Sequence, residues 1–278
     1  MSVSWQRLIG HPSLKGSFRG VAGFIFISLL SWGMVANAQR VQVGVPGASS
    51  AARRIQFHPN VPPPDRGTPR APHGTGSRGD CIAHSEILPL TQLVGNRGLD
   101  LTVSEHPSFW VYAPYTQTEI AAAQFSLQEG DAEIYRTDIQ LLTTAGIVEL
   151  ALPTTIPPLE VDKDYRWYFD ITCPQSDPAD EASLTTITGM VRRVAPSAAL
   201  ESELAIAQSP LEKIHAYAEN QIWYETLTEL AHLRLSDPDN LELETLWKDL
   251  LSDPNIGLGN LSEAPILGEV NRSGLLSE

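Results

Sequence analysis

The sequence predicts an α+β protein, with an N-terminal antiparallel β-sandwich over residues 81–196 and a small C-terminal helical hairpin or bundle over 197–255. Three observations carry this. Tyr165-Arg-Trp-Tyr-Phe-Asp-Ile-Thr-Cys173 places Tyr165, Trp167, Phe169, Ile171 and Cys173 on one face and Arg166, Tyr168, Asp170 and Thr172 on the other, the period of a strand with one buried side. Shorter runs of the same kind, Phe109–Tyr112, Gln124–Leu127, Glu133–Tyr135, Ile147–Leu152 and Ile187–Val194, are separated by turn residues such as Pro153, Pro157 and Pro158. After Pro196 the apolar spacing changes to three and four, the period of helices.

The chain of 278 residues begins with a different pattern. Arg7, Lys15 and Arg19, with no acid among them, precede the apolar run 21–32, and small residues at Ala36 and Ala38 follow. Residues 1–38 therefore read as a signal peptide cleaved after Ala38. The run is short of the roughly 20 apolar residues that span a bilayer, so the mature chain is expected to have no transmembrane segment and to be periplasmic or extracellular. Residues 39–80 hold seven prolines, six glycines and six arginines against two acids. Their apolar side chains are few and scattered, so the segment is expected to be a disordered Pro/Gly/Arg-rich lead.

Within the expected sandwich, Leu159 stands six residues before Tyr165, which opens the best strand. This spacing resembles the tyrosine corner of fibronectin type III and immunoglobulin-like sandwiches, in which the hydroxyl bonds backbone just upstream. The resemblance implies a fold and no activity.

Four segments carry helical signals. Residues 198–208 suggest a short helix, and Ser209-Pro-Leu-Glu212 is a capping box with proline at the first helical position. A helix over 222–235 aligns Trp223, Leu227, Leu230 and Ala231, and Asp239 with Glu242 is spaced to cap a further helix carrying Leu243, Leu246, Trp247, Leu250 and Leu251. Residues 216–240 resemble a single tetratricopeptide-type hairpin, although an array needs about three repeats to make a concave surface. Residues 256–278 are expected to be a flexible tail.

These parts occur in a recognisable order: an export signal, a lead ending in Gly79-Asp80-Cys81, then Phe109-Trp-Val-Tyr-Ala-Pro114, Gly146 to Pro153, Tyr165 to Cys173, and Ala216-Tyr-Ala-Glu to Trp223-Tyr224. The chain resembles the DUF928 family over roughly residues 65–255. The resemblance implies an exported protein of the cyanobacterial envelope and transfers no catalytic residue.

Cys81 and Cys173 are the only cysteines. An even pair in an exported chain suggests a disulfide. Separate thiols and a zinc site using Cys81, His84, Cys173 and His106 are the alternatives, and the second offers only one close ligand pair. Asp162, Asp164 and Asp170 do not by spacing define a glycosidase pair. Glu129-Gly-Asp131 and Asp177-Pro-Ala-Asp-Glu181 lack the ligand alternation of a calcium loop. No nucleophile elbow, zincin motif or phosphate loop occurs, and no metal or cofactor is expected.

A net charge of −14 excludes a nucleic-acid face. The expectation is a non-catalytic envelope module that binds a protein or a glycan, with an envelope hydrolase using a carboxylate pair as the alternative. Outward Arg166, Tyr168, Arg192 and Arg193 form the candidate contact face.

Overall fold

Sheet strands and helices follow the expected order through residue 252 in the computed structural model, which describes Arg54, Ile55, Phe57, Cys81 and residues 88–95, 98–175 and 182–273. Residues 1–38, expected to be a signal peptide, lie outside the described residues. The strands are β1 (Thr91–Gln92), β2 (Asp100–Thr102), β3 (Ser108–Ala113), β4 (Ala122–Glu129), β5 (Ala132–Gln140), β6 (Gly146–Ala151), β7 (Asp164–Thr172) and β8 (Leu184–Arg193). Four helices come next: α1 (Ala198–Ile206), α2 (Pro210–Glu219), α3 (Trp223–Ser236) and α4 (Leu241–Ser252). A 3₁₀ turn (Gly259–Leu261) and two further strands, β9 (Ile266–Glu269) and β10 (Asn271–Ser273), complete an α+β fold.

The first sheet has the order β1-β3-β6-β9 and the second β10-β5-β4-β7-β8-β2. Both are mixed rather than antiparallel, because β2 pairs parallel to β8 and β9 parallel to β6. These two short strands arrive by long connections, which free them from the antiparallel direction that a hairpin imposes.

The alternating stripe of β7 is as read. Tyr165, Trp167, Phe169 and Ile171 are buried, their neighbours half-buried, and Cys173 continues the buried side. The two sheets meet through aromatic contacts: the Phe109 ring lies 5.2 Å from Phe125 and 5.5 Å from Trp167. In contrast, β3 and β6 are buried almost continuously. Their alternate side chains face the helices: Trp110 Nε1 donates to Thr228 Oγ1 at 2.9 Å, and its ring meets His232 on α3. A strand covered on both faces loses the polar half of the period-two pattern.

Helices and sheets therefore share one core. Trp223 Nε1 donates to Leu93 O at 3.1 Å, and Tyr224 packs edge-on against Phe109 at 5.3 Å. Deleting residues 198–255 is accordingly expected to unfold the sheets, whereas the pattern alone suggested a removable appendage. Two glycines permit close approach here. A Cβ at Gly95 would lie 2.3 Å from the Trp223 ring, and one at Gly189 2.6 Å from that of Trp167.

The helix caps are largely those expected. Ser209 Oγ accepts from Glu212 N at 3.2 Å, while the Glu212 carboxylate accepts from Gln208 N rather than closing the box on Ser209. Asn240, not Asp239, caps α4, accepting from Glu242 N and Leu243 N. The amide oxygen of Asn reaches both donors from the cap position itself.

Two segments depart from expectation. Residues 256–273 of the expected flexible tail are structured: Ile256, Leu258 and Leu261 are buried, and the chain crosses from the first sheet to the second at buried Val270, whose N–H donates to Glu149 O at 3.1 Å. Within the expected lead, Ile55 and Phe57 are each only 2% exposed. Phe57 packs edge-on against Trp223 at 5.0 Å, and Arg54 pairs with Asp249 of α4 at 3.3 Å. Isolated apolar residues are uninformative as a pattern, yet each can fill a slot that distant elements have already built.

Candidate functional site

Most of the residues singled out from the sequence fall among the described ones. Cys81 and Cys173 form a disulfide with Cα atoms 4.9 Å apart across a separation of 92 residues. The zinc alternative loses both sulfurs to this bond. His84 lies outside the described residues, and His106 Nε2 bonds Ile156 O at 3.0 Å. Among the described residues, no three His, Cys, Asp or Glu side chains converge to hold a metal.

Leu159 is buried, and the Tyr165 hydroxyl accepts from Glu160 N at 2.9 Å. Arg166, Tyr168 and Arg192 share the outer side of the second sheet. There Arg166 contacts Met190 Sδ, and Arg192 holds Asp164 through paired contacts of 2.5 and 2.8 Å. Arg193 does not join them. One residue on from Arg192, it falls on the opposite side of the strand, where it donates to Leu159 O at 2.6 Å and Glu105 at 3.0 Å and buttresses the turn before β7. The candidate carboxylates are likewise engaged: Asp164 by Arg192 and Asp170 by the Thr186 hydroxyl at 2.5 Å. In the acidic turn at Glu129, Lys163 occupies the carboxylate at 2.8 Å, while Asp177–Glu181 lies outside the described residues.

Two acids join the layers, half-buried Glu225 and buried Glu149. Glu225 on α3 receives Thr102 Oγ1 at 2.6 Å, Ser104 N at 2.9 Å and Val103 N at 3.1 Å on a single carboxylate oxygen. Burial pushes its pKa up, against those hydrogen bonds. Glu225→Ala leaves these donors unpaired and is expected to destabilise by about 2–3 kcal/mol, whereas Glu225→Gln keeps an acceptor and should cost less than about 1 kcal/mol. Because the folded pKa is raised, wild type should lose stability relative to Glu225→Gln as pH rises through that pKa. Denaturant melts of both variants across pH 4–8 test this; equal losses for Ala and Gln would refute the hydrogen-bond account.

Glu149 on β6 is buried, and His232 on α3 bonds it through Nε2 at 2.8 Å. The hydrogen bond to Glu149 raises the His232 pKa above its ordinary value, opposed by partial burial and assisted by the charges of Glu149, Glu229 and Glu269. The stabilisation is fully present below the unfolded histidine value of about 6.5 and is lost as pH rises through the folded value. With the side chain 49% exposed, solvent screening limits the effect to about 1 kcal/mol at most. Wild type should therefore exceed His232→Gln in stability at pH 6 and lose that margin by pH 9, measured by paired denaturation curves; a margin that grows with pH would contradict the pairing. The sequence did carry a signal for this pair, since Glu149 interrupts an otherwise apolar run.

A groove along α1 and α2 was not foreseen. Ser197 caps α1, accepting from Leu200 N at 3.1 Å, and Asn220 at the end of α2 donates to Glu203 Oε2 of α1 at 2.7 Å. Leu200, Ala216 and Ile222 form a small core beneath, packed with Leu101, Val103 and Val194. These contacts hold the two helices apart at a fixed angle around a cavity of about 580 Å³. Ile206, Leu211 and Ala216 line it together with Glu203, Glu212, Glu219 and Glu242. Ile206 is 72% exposed, an unusual position for isoleucine on a helix that packs elsewhere.

Among the described residues no helix is long and apolar enough to cross a membrane. The fold and its bond define the class: a disulfide-bridged α+β domain with two mixed sheets and four helices, three of which share the main core with the sheets. The model of one family, the Domain of Unknown Function (DUF928), matches residues 73–266, and the chain belongs to that family. No curated protein and no solved structure matches it.

Proposed function

We propose that this protein is a non-catalytic, exported module of the cyanobacterial cell envelope that binds a partner protein through its helical face. The groove between α1 and α2 carries the reading: it is concave, fixed by caps and a local core, and combines apolar and carboxylate lining with an exposed isoleucine. Fixed concavities of a few hundred Å³ with apolar walls and a few polar groups are the usual form of a recognition site. Half-buried Glu225 and buried Glu149 are each tied to a neighbouring element, which fits a scaffold role for them better than a hydrolytic one. A disulfide closing so long a loop supports an oxidising compartment and hence export. The Tyr165–Glu160 bond supports a fibronectin III- or immunoglobulin-like ancestry for the sheets, with the helices added after them.

A photocrosslinking side chain placed at Ile206 in living cells should give a discrete adduct that one placed at exposed Leu184, on β8, does not. Equal adducts at both positions would remove the groove from the proposal. Turnover of an envelope polysaccharide or peptide by the purified chain, abolished by Glu149→Gln, would replace binding with hydrolysis.

A further inference from the structure

We infer that the α1–α2 groove takes a cationic peptide segment in which arginine or lysine flanks an apolar side chain. This deepens the reading above and rests on it: the groove as a binding site is taken from there, and the chemistry of its occupant is added here.

The argument starts from the lining. Its titratable side chains are Glu203, Glu212 and Glu219 from the first two helices, Glu242 from α4, and His215. No lysine or arginine is among them. Glu203 accepts from Asn220 Nδ2 and Glu212 from Gln208 N, so the donors these two carboxylates meet are neutral. Elsewhere some exposed acids are paired with bases. Lys248 of α4 bridges Glu244 and Glu263 at 2.6 and 2.8 Å, and Lys163 bridges Glu129 and Glu160. Among the described residues, Glu203 and Glu212 thus present carboxylates to the groove without an ion-pair partner.

The apolar part narrows the class further. Ile206 stands 72% exposed at the end of α1, and Leu241, next in sequence to Glu242 of the wall, is 75% exposed. A free metal ion or a simple polyamine would make no use of these side chains. An acidic or phosphorylated partner would be repelled by the carboxylates. A peptide that sets an aliphatic side chain against Ile206 and Leu211 and its flanking cations against Glu203 and Glu212 satisfies both features. The volume of about 580 Å³ suits a few residues of such a peptide. Because caps and the small core already order the groove, little conformational entropy opposes binding.

The test uses the full chain and three fluorescein-labelled hexapeptides read by anisotropy: Arg-Leu-Arg-Arg-Leu-Arg, its Arg-Ser-Arg-Arg-Ser-Arg analogue, and Glu-Leu-Glu-Glu-Leu-Glu. The first should bind, the second about tenfold more weakly, and the third not at all, the loss expected when an anchor contact is removed. Glu212→Lys and, separately, Ile206→Ser should each weaken the first peptide by about fivefold to tenfold. Both substitutions lie on exposed helical positions, and unchanged circular dichroism and melting checks that the fold is kept. Equal binding of the leucine and serine peptides would reduce the effect to general attraction by an acidic chain and overturn the inference. Binding unaffected by both substitutions, no binding by wild type, or self-association of the chain that Glu212→Lys abolishes would overturn it too. If adducts form at position 206 while the cationic peptide fails, the groove survives as a binding site and only this occupant is excluded.

Discussion

Trp167→Ala is expected to lower the unfolding free energy by about 3–5 kcal/mol, the largest effect of any single side chain here. Trp167 is fully buried at the centre of the second sheet. Its ring contacts Phe109 of the other sheet and stacks near Phe125 at 6.4 Å, and it lies over the Gly189 backbone of the adjacent strand. Its Nε1 donates to the Tyr224 hydroxyl at 3.0 Å, which in turn donates to Met190 O at 3.3 Å. The substitution therefore opens a cavity where the two sheets and α3 meet, and leaves the Tyr224 oxygen without its donor. Burial already pushes the Tyr224 pKa well above the usual tyrosine value, so ionisation offers that hydroxyl no alternative near neutral pH. Equilibrium urea unfolding measures the loss. Gly189→Ala supplies a milder second variant, since the added methyl must displace the same ring, at about 1–3 kcal/mol. A Trp167→Ala protein within 1 kcal/mol of wild type, on the order of an exposed-site change, would show that this ring is not the junction of the layers.

Removing the disulfide with Cys81→Ser and Cys173→Ser together should cost about 2–5 kcal/mol. Closing a separation of 92 residues restricts the unfolded chain, and the chain-entropy relation places the upper end near 4–5 kcal/mol. The native anchor is secure, because Cys173 ends the buried side of β7 and its N–H donates to Ser183 O at 2.9 Å. For a domain of this size the melting temperature should fall by roughly 5–15 °C, the drop that such a loss produces at about 2–4 °C per kcal/mol. Alkylation of intact protein before and after reduction reports the bond directly. Equal stability of the reduced and oxidised forms would mean that the loop is already restrained when the bond is absent.

The most legible parts of the fold were those with one wet face. In β7 the polar residues Arg166, Tyr168, Asp170 and Thr172 mark every second position, so the strand and its buried side could be read directly. The same holds for α4, whose Leu243, Leu246, Trp247, Leu250 and Leu251 form a single buried stripe. Strands β3 and β6 showed only as apolar runs, because covering both faces erases the alternation, and nothing local says that α3 lies on one side and the second sheet on the other. The short strands β2, β9 and β10 were missed altogether. Three or four residues carry no measurable period, and their strand geometry comes from partners far along the chain. Ile55 and Phe57 were hidden for the same reason.

The candidate site divides along a similar line. The pairing of Cys81 with Cys173 and the bond from Glu160 N to the Tyr165 hydroxyl were legible because a count and a fixed spacing suggest them. Arg193 was misplaced because two consecutive strand residues were assigned to one face, whereas alternation sends Arg193 to the side opposite Arg192. The groove had no signature at all: it is a space between helices, bounded by residues on three separate elements. Periodicity, capping residues and cysteine number thus suffice for the type of each long element and for the covalent link, since those depend on neighbours in the chain. Which faces are doubly covered, where short strands pair and where a cavity opens depend on contacts between distant residues, and such contacts exist only once the elements have packed.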